Sequence, residues 1–390
     1  MKNRLIVLLA LLFGLAGNTS KANSTGGDTA SFTIRGYVRA MPSVMLNREF
    51  SHADFSNMVH NRLNTRWSLP LGLSLVAEGR NRLLYNELLE GLPAMADLMD
   101  YDDGLVDLTR VWLSQGGWLG TSQIDRLFLD WQQSNWRVRV GRQRINWGIN
   151  FVSNPNDLFN TYSFFDFDYP ERPGADAVRI QYFTGGLSRL EVAYNPSRYT
   201  RQSVAAMLYS TNLFNYDFQA IAGYFRHRAA LGIGWAGSIG GAGFKGEATW
   251  FYHIENLPQR QRANLVAAIG FDYMFANGTF VLAEFLYNGG FTPAAGNIFM
   301  LTEPMRPDNI MLSEFAITFS ASHAFSPVVN GGLSFMALPD QETLFFSPNL
   351  KYSLKRNFDL EFVSQVFIGG QNTLFQQAGS SWFLAVQYSF

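Results

Sequence analysis

The chemistry this chain can offer is concentrated in arginine: 25 arginines stand against 5 lysines in 390 residues. Many recur at even spacing. Arg35 and Arg39 share a parity, as do Arg62 and Arg66. Arg80 falls with Ser74 and Glu78, Arg126 with Asp130 and Gln132, Arg137 with Arg139, Arg179 with Gln181, and Arg189 with Glu191. In an extended chain alternate residues lie on one face. A guanidinium is a planar, permanently charged fork that matches carboxylate and phosphate oxygens. Such faces have two uses. They pair with neighbouring acids such as Glu78, Asp130 and Glu191, or they present a surplus of positive charge to an anionic or sugar-acid solute.

Other constellations point away from catalysis. Gly232-Ile233-Gly234-Trp235-Ala236-Gly237 spells a dinucleotide-binding pattern, but a strand-like pattern continues through it and no helix follows, as that site requires. Small residues there would instead keep a lumen open. None of His52, His60, His227, His253 and His323 forms a helical pair with another, and no nucleophile pattern accompanies them. With no cysteine, disulfides, thiolate metal sites and thiol catalysis are excluded. In the acidic stretch 87–118, Asp100, Asp102 and Asp103 offer oxygen ligands but lack the spacing and glycine of a calcium loop. The expectation is a non-enzyme with no cofactor and no resident metal.

The segment 149–173 is different in kind. It combines Phe151, Phe159, Tyr162, Phe164, Phe165, Phe167 and Tyr169 with Asp157, Asp166, Asp168, Glu171 and Arg172. So many rings must be buried. Either the segment folds into a barrel mouth as a constriction, which would set its acids near the basic faces, or it packs on the rim.

The elements that must position these residues are strands. Charged residues make up only 16% of the chain and aromatics 15%, where about a quarter of a soluble chain is charged. The net charge of −1 gives no basic field for nucleic acid. Lys2 and Arg4 precede an apolar run from Leu5 to Ala16, too short to span a bilayer, which takes about 20 residues. This reads as a signal peptide over 1–22, with cleavage after Ala22 or, second, after Gly17. A short segment, 23–31, leads into a barrel over 32–390.

From there to the end the sequence alternates. In the last strand Trp382, Leu384, Val386, Tyr388 and Phe390 oppose Ala385, Gln387 and Ser389; Phe244, Ala248, Trp250 and Tyr252 oppose Lys245, Glu247 and Thr249. Eighteen segments begin near residues 32, 58, 72, 121, 136, 174, 187, 202, 216, 229, 242, 262, 278, 312, 328, 342, 357 and 381. Because 200–240 is apolar on both faces, sixteen is the other count. Short turns alternate with long links at 87–118, 149–173, 253–261, 290–311 and 370–379, the plan of a transmembrane barrel with short periplasmic turns and long extracellular loops. In lipid such a sheet must close, since each unpaired backbone group costs several kcal/mol. An arginine on the lipid face costs roughly 2–4 kcal/mol at mid-bilayer. A dozen outward arginines would exceed the ~5–15 kcal/mol that stabilises an ordinary domain. The arginine parity must therefore face the lumen. The later strands would line it with Gly232, Gly234, Glu247, Asp272, Glu284, Glu314, Ser320, Asn349, Asp359 and Glu361. Past Gly141 the parity breaks: a bulge there would turn Arg142 and Arg144 inward, and otherwise they sit above the bilayer.

The ordered series Gly141-Arg142-Gln143-Arg144-Ile145-Asn146-Trp147-Gly148, Pro155-Asn156-Asp157-Leu158-Phe159-Asn160 and Glu171-Arg172-Pro173-Gly174-Ala175-Asp176-Ala177-Val178-Arg179 resembles a widespread group of bacterial outer-membrane porin-like barrels. More distantly it is similar to the eighteen-stranded alginate-export porins. The C-terminal Phe390, with aromatics alternating before it, resembles the last-strand signal read by barrel-assembly machinery. The resemblance implies a Gram-negative outer membrane, with its lipid and lipopolysaccharide as surroundings. The expected function is passive diffusion of small hydrophilic solutes, anionic ones among the candidates. The alternatives are a carrier for hydrophobic or lipid-like molecules, using the Phe-rich segment and 200–240, and a surface-binding barrel.

Overall fold

The computed structural model describes residues 30–87, 89, 102, 104–162, 164–165, 171–172, 174–255, 262–291, 305–371, 373, 375–376 and 378–390. The signal peptide expected over 1–22 lies outside them, as do Asp100 and Asp103 of the expected acidic loop.

Alternation in the sequence becomes strand throughout. In order these are β1 (Ser31–Leu46), β2 (Ala53–Ser68), β3 (Leu73–Asn86), β4 (Thr109–Gln115), β5 (Trp118–Gln133), β6 (Trp136–Gln143), β7 (Ala175–Phe183), β8 (Arg189–Asn195), β9 (Val204–Leu213), β10 (Tyr216–Phe225), β11 (Arg228–Ile239), β12 (Ala242–His253), β13 (Ala263–Met274), β14 (Phe280–Asn288), β15 (Phe315–Ser326), β16 (Val329–Leu338), β17 (Thr343–Lys355), β18 (Phe358–Ile368) and β19 (Ser380–Ser389). Every pairing is antiparallel, and β1 pairs with β19 from Tyr37↔Ser389 to Leu46↔Ser380, so the sheet closes. β3 pairs directly with β5, while β4 pairs only with the Trp118–Gln123 end of β5. Of nineteen strands, the ring therefore contains eighteen. Closure leaves no edge whose N–H and C=O groups must find water.

The eighteen expected segments all appear. β2 starts five residues earlier than its alternation suggested, and β4, inside the expected link 87–118, was not anticipated. Eight connections at one end are short, at 69–72, 134–135, 184–188, 214–215, 240–241, 275–279, 327–328 and 356–357. β1 begins and β19 ends at this same end. Gly240 and Gly241 both have positive φ (59° and 88°), the hairpin geometry whose twist matches the strands and which glycine adopts without strain. The opposite end carries the longer links, together with three short ones: 116–117, the four-residue 339–342 and the two-residue turn Arg226-His227, also at positive φ.

The outward face is apolar. Leu129, Val140, Ile180, Ile233, Leu265, Ile317, Leu350 and Leu384 are all exposed. Among the described residues no helix is long and apolar enough to cross a membrane; the apolar belt is carried by strands.

The inner face divides in two. From β1 to β8 it is polar. From β9 to β18, toward the long-link end, it is a packed apolar core: Leu208, Ile221, Phe251, Val266, Leu286, Met336 and Phe345 are essentially inaccessible and pack with Ile145, Trp147 and Leu158 from the β6–β7 link. Fully burying a side chain of this kind is worth ~1.5–3 kcal/mol. This explains why 200–240 is apolar on both faces: one side faces outward and the other receives the link. It also corrects the expectation of a later wall lined mainly by small and acidic residues. That description holds only toward the short-turn end, where Lys245 pairs with Asp272 at 3.0 Å and Lys351 with Asp359 at 3.1 Å.

Candidate functional site: a basic lumen wall and the link laid across it

The arginine parity faces inward, and it is organised around few carboxylates. Asp130 on β5 receives Arg137 (2.6 Å), Arg139 (3.2 Å) and Arg66 (3.6 Å). Glu191 on β8 receives Arg179 (2.6 Å) and Arg189 (3.6 Å), with Gln181 donating at 2.8 Å. Five guanidiniums thus share two carboxylates, and each group keeps net positive charge. Arg39 reaches Glu361 across the β1–β19 seam at 3.0 Å. Arg35, also inward by register opposite Asn64, sits nearer the short-turn mouth.

A third group is centred on Arg62, whose side chain is buried. It contacts Asp125 at 2.5 Å, Glu78 at 2.7 Å and Glu171 of the link at 3.5 Å. Arg80 lies 3.6 Å from Asp125 and donates to Gln123. Asp125 faces inward only because the β3–β5 register shifts at Glu78/Gly79, so that Asp125 and Arg126 both turn into the barrel. A bulge of this kind re-aims one side chain. Its signal was present in the sequence: two consecutive charged residues between the outward Ile124 and Leu127. Arg126 then donates to the backbone carbonyls of Glu171 and Arg172, fixing the returning end of the link.

The link itself runs around the inner wall. Trp147 Nε1 donates to Glu191 at 2.5 Å, and Gln219 on β10 donates to the Trp147 carbonyl. Next come two anchors that sequence reasoning placed only as lumen-lining acids. Glu247 on β12 accepts backbone N–H bonds from Ile149, Asn150 and Asn156 at 2.9–3.0 Å. Glu284 on β14 accepts from Val152 (3.2 Å) and Ser153 (2.7 Å). Beyond them Phe165 packs against Phe345 of β17 and Phe367 of β18, and Gln365 donates to its carbonyl. Tyr37 of β1 donates to Glu171. Of the alternatives for 149–173, its described residues lie inside the barrel mouth. Asp166 and Asp168 lie outside the described residues.

Gly232 and Gly234 serve this docking rather than an open lumen. A Cβ on Gly232 would meet Asn156 Oδ1 at 2.7 Å, and one on Gly234 would meet Ile149 Cδ1 at 2.6 Å. A side chain at either position would push those two link side chains aside. Asp157, within the link, is wholly buried. Loss of water pushes its carboxyl up to about 7, against the opposing pull of Arg144, of the Trp147 and Asn160 backbone N–H groups and of Arg172.

Arg142 does not turn inward. The registers on both sides of Gly141 run without a shift, placing Arg142 opposite the outward Leu127 and opposite Asp176. It is buried there by Asp102, Gly104 and Val106 of the neighbouring loop, paired with Asp102 (2.6 Å) and Asp176 (2.7 Å). Asp102 thus serves an ion pair. Among the described residues no group of His, Cys, Asp and Glu could hold a metal.

Beneath the link, at the short-turn end, a cavity of about 450 Å³ is lined by Ile149, Arg189, Ser210, Thr211, Asp217 and Gln219, among others. Arg189 joins this space to the Glu191 group.

No protein-family model matches the chain, and no curated relative matches its sequence. Solved structures match over almost the whole length. Pseudomonas aeruginosa OccK5 (OpdH) is similar with a TM-score of 0.58 at 9% identity, covering 92% of this chain and 98% of that one. Pseudomonas aeruginosa OccD3 (OpdP) is similar with a TM-score of 0.56 at 8% identity, covering 94% and 93%. Acinetobacter baumannii OccAB1 gives 0.54 at 8% identity, covering 92% and 96%. At such identities the likeness is one of fold. These neighbours lend no support to the alginate-export resemblance drawn from 141–179.

Proposed function

We propose that the protein is an outer-membrane channel through which small hydrophilic solutes diffuse passively, with anions favoured over cations. The observation that carries this reading is the arrangement of five guanidiniums around Asp130 and Glu191 on one lumen wall. The outward apolar belt calls for lipid, and a closed ring of eighteen strands encloses an aqueous channel. A passing solute would be held between two unlike surfaces. The basic wall attracts anions and exchanges their hydration for guanidinium contacts. The link opposite narrows the cross-section and is held rigid by Glu247 and Glu284. Ring selectivity of this kind needs no cofactor and no energy input.

The carrier alternative for lipid-like molecules is disfavoured by how the rings are used. Phe345, Phe165 and Phe367 pack on one another at 4.7–5.4 Å between centroids, so this apolar surface is spent internally.

Refolded protein in planar bilayers tests the reading. Steady single-channel currents in salt solution are expected. Silence at all voltages, with the barrel intact by heat-modifiable electrophoresis, would exclude a wet channel and favour the surface-binding alternative.

A further inference from the structure

Two side chains of the link meet each other rather than the wall. The guanidinium of Arg172, on its returning end, lies over the ring of Tyr162, on its outgoing arm, with Cζ 3.0 Å from the ring centroid. The supports of this contact stand on opposite sides of the barrel. On one side Arg126 of β5 donates to the carbonyls of Glu171 and Arg172 at 2.7 and 2.8 Å. On the other the Tyr162 hydroxyl donates to the Phe151 carbonyl at 3.1 Å. Phe151 packs its ring on Phe280 of β14, and its neighbour Val152 donates to Glu284 of the same strand.

Counted from β5, β14 is the ninth strand one way, through β6 to β13, and the ninth the other way, through β3, β2, β1 and then β19 to β15. It is the facing wall. A chain of contacts therefore runs from β5 through Arg172 and Tyr162 to β14, across the lumen. Its backbone is strained at the joint. Arg172 has φ 59°, a left-handed conformation in which a β-carbon crowds the following carbonyl. Such strain persists where the surroundings over-determine it, and it clusters at clamps and switch regions. Here Arg126 holds the Arg172 backbone from one wall while the Tyr162 ring attracts its guanidinium from the other. Both side chains are only half-buried, so part of each stays open to the lumen.

We propose that Arg172 and Tyr162 form a crossbar over the middle of the lumen and that this crossbar sets the size limit of the channel. The wall arginines act on the sign of a solute, and the crossbar acts on its width. A solute too wide for the space on either side has to lift the guanidinium off the ring, which takes rotation of two long side chains and no movement of the barrel. The inference rests on the channel reading above.

Single-channel recording of the refolded protein, with liposome swelling in neutral sugars of increasing size, tests it. Arg172→Met and Tyr162→Leu are each expected to raise conductance about 1.5-fold and to admit a sugar that the wild-type channel excludes, with the heat-modifiable barrel retained. Tyr162→Phe keeps the ring and is expected to match wild type. The double variant is expected to go no further than either single one, because losing either partner already breaks the one contact. Conductance and size limit unchanged in both single variants would overturn the proposal and leave the channel reading standing. So would additive effects in the double variant. A Tyr162→Phe channel as open as Tyr162→Leu would overturn it too, since the tie to Phe151 and not the ring would then be the cause. A silent wild type beside conducting variants would support the crossbar as a closed gate. Silence of wild type and every variant, with the barrel intact, would remove the channel reading and the crossbar with it.

Discussion

The wall from β1 to β8 and the wall from β9 to β18 share one strand geometry and carry opposite inner surfaces. The first holds guanidiniums in excess around Asp130 and Glu191, beside a group in which Arg62 and Arg80 meet Asp125, Glu78 and Glu171. The second holds an apolar core pierced by two carboxylates, Glu247 and Glu284, whose partners are backbone N–H groups of the 144–174 link rather than arginines. The difference teaches how one barrel can be wet and packed at once. Charge kept in excess on one side would leave a path for solute, while hydrogen bonds fully paired on the other fix an obstacle beside that path.

The sharpest way to break the contrast is to unseat the obstacle. Glu247→Ala removes the acceptor of three backbone N–H bonds, and a buried donor left without its partner costs ~1–3 kcal/mol. The link should detach, and single-channel conductance should at least double with added current noise. An unchanged conductance would mean that the link does not limit the pore.

A smaller effect is expected from the other side of the same contact. Gly234→Val would press on Ile149 and Asn156, and overpacking of this sort costs ~1–3 kcal/mol. The melting temperature followed by Trp fluorescence should fall by several degrees, whereas Gly185→Ala, in an open turn with nothing within 4 Å, should leave it unchanged.

Asp157 gives the contrast a pH dependence. Its folded carboxyl is raised to about 7 from an ordinary value of 3.8, so the native link prefers it protonated. The contribution is full below pH ~4 and is lost as pH rises through about 7. Current noise from link motion should therefore grow between those limits, and Asp157→Asn should flatten the curve. The smallest effect belongs to Asp340, in the turn between β16 and β17. Burial alone would raise its carboxyl, but hydrogen bonds from Ser313 and from the Glu314 and Phe315 backbone outweigh it and hold it below the usual range. Its stabilisation is present above the unfolded value and fades as pH falls. Asp340→Asn should lower the melting temperature slightly at neutral pH and not at strongly acid pH.

The strands were legible because a period of two survives wherever one face is apolar and the other polar. Trp382 to Phe390 and Phe244 to Tyr252 state it plainly. The arginine parity was legible through cost, since guanidiniums cannot face lipid in numbers. Three features lay deeper. β4 is short, and its outward Trp112 and polar neighbours imitate a loop. The shift that turns Asp125 inward shows only as one doubled polar step. The anchoring of Ile149, Asn150 and Asn156 by Glu247 joins positions nearly a hundred residues apart, through backbone groups that carry no sequence signature. Asp157 looked like a pore acid and is instead buried in the link, because burial depends on what docks around a residue and not on its type.

The central claim is that the basic wall sets which ions pass. Reversal potential across a bilayer with a salt gradient measures this directly. The account predicts anion preference in the wild-type channel and a shift toward cations in Arg137→Ala with Arg139→Ala, which leaves Asp130 facing Arg66 alone. A wild-type channel that favours cations, or a preference that the two substitutions leave unmoved, would contradict it.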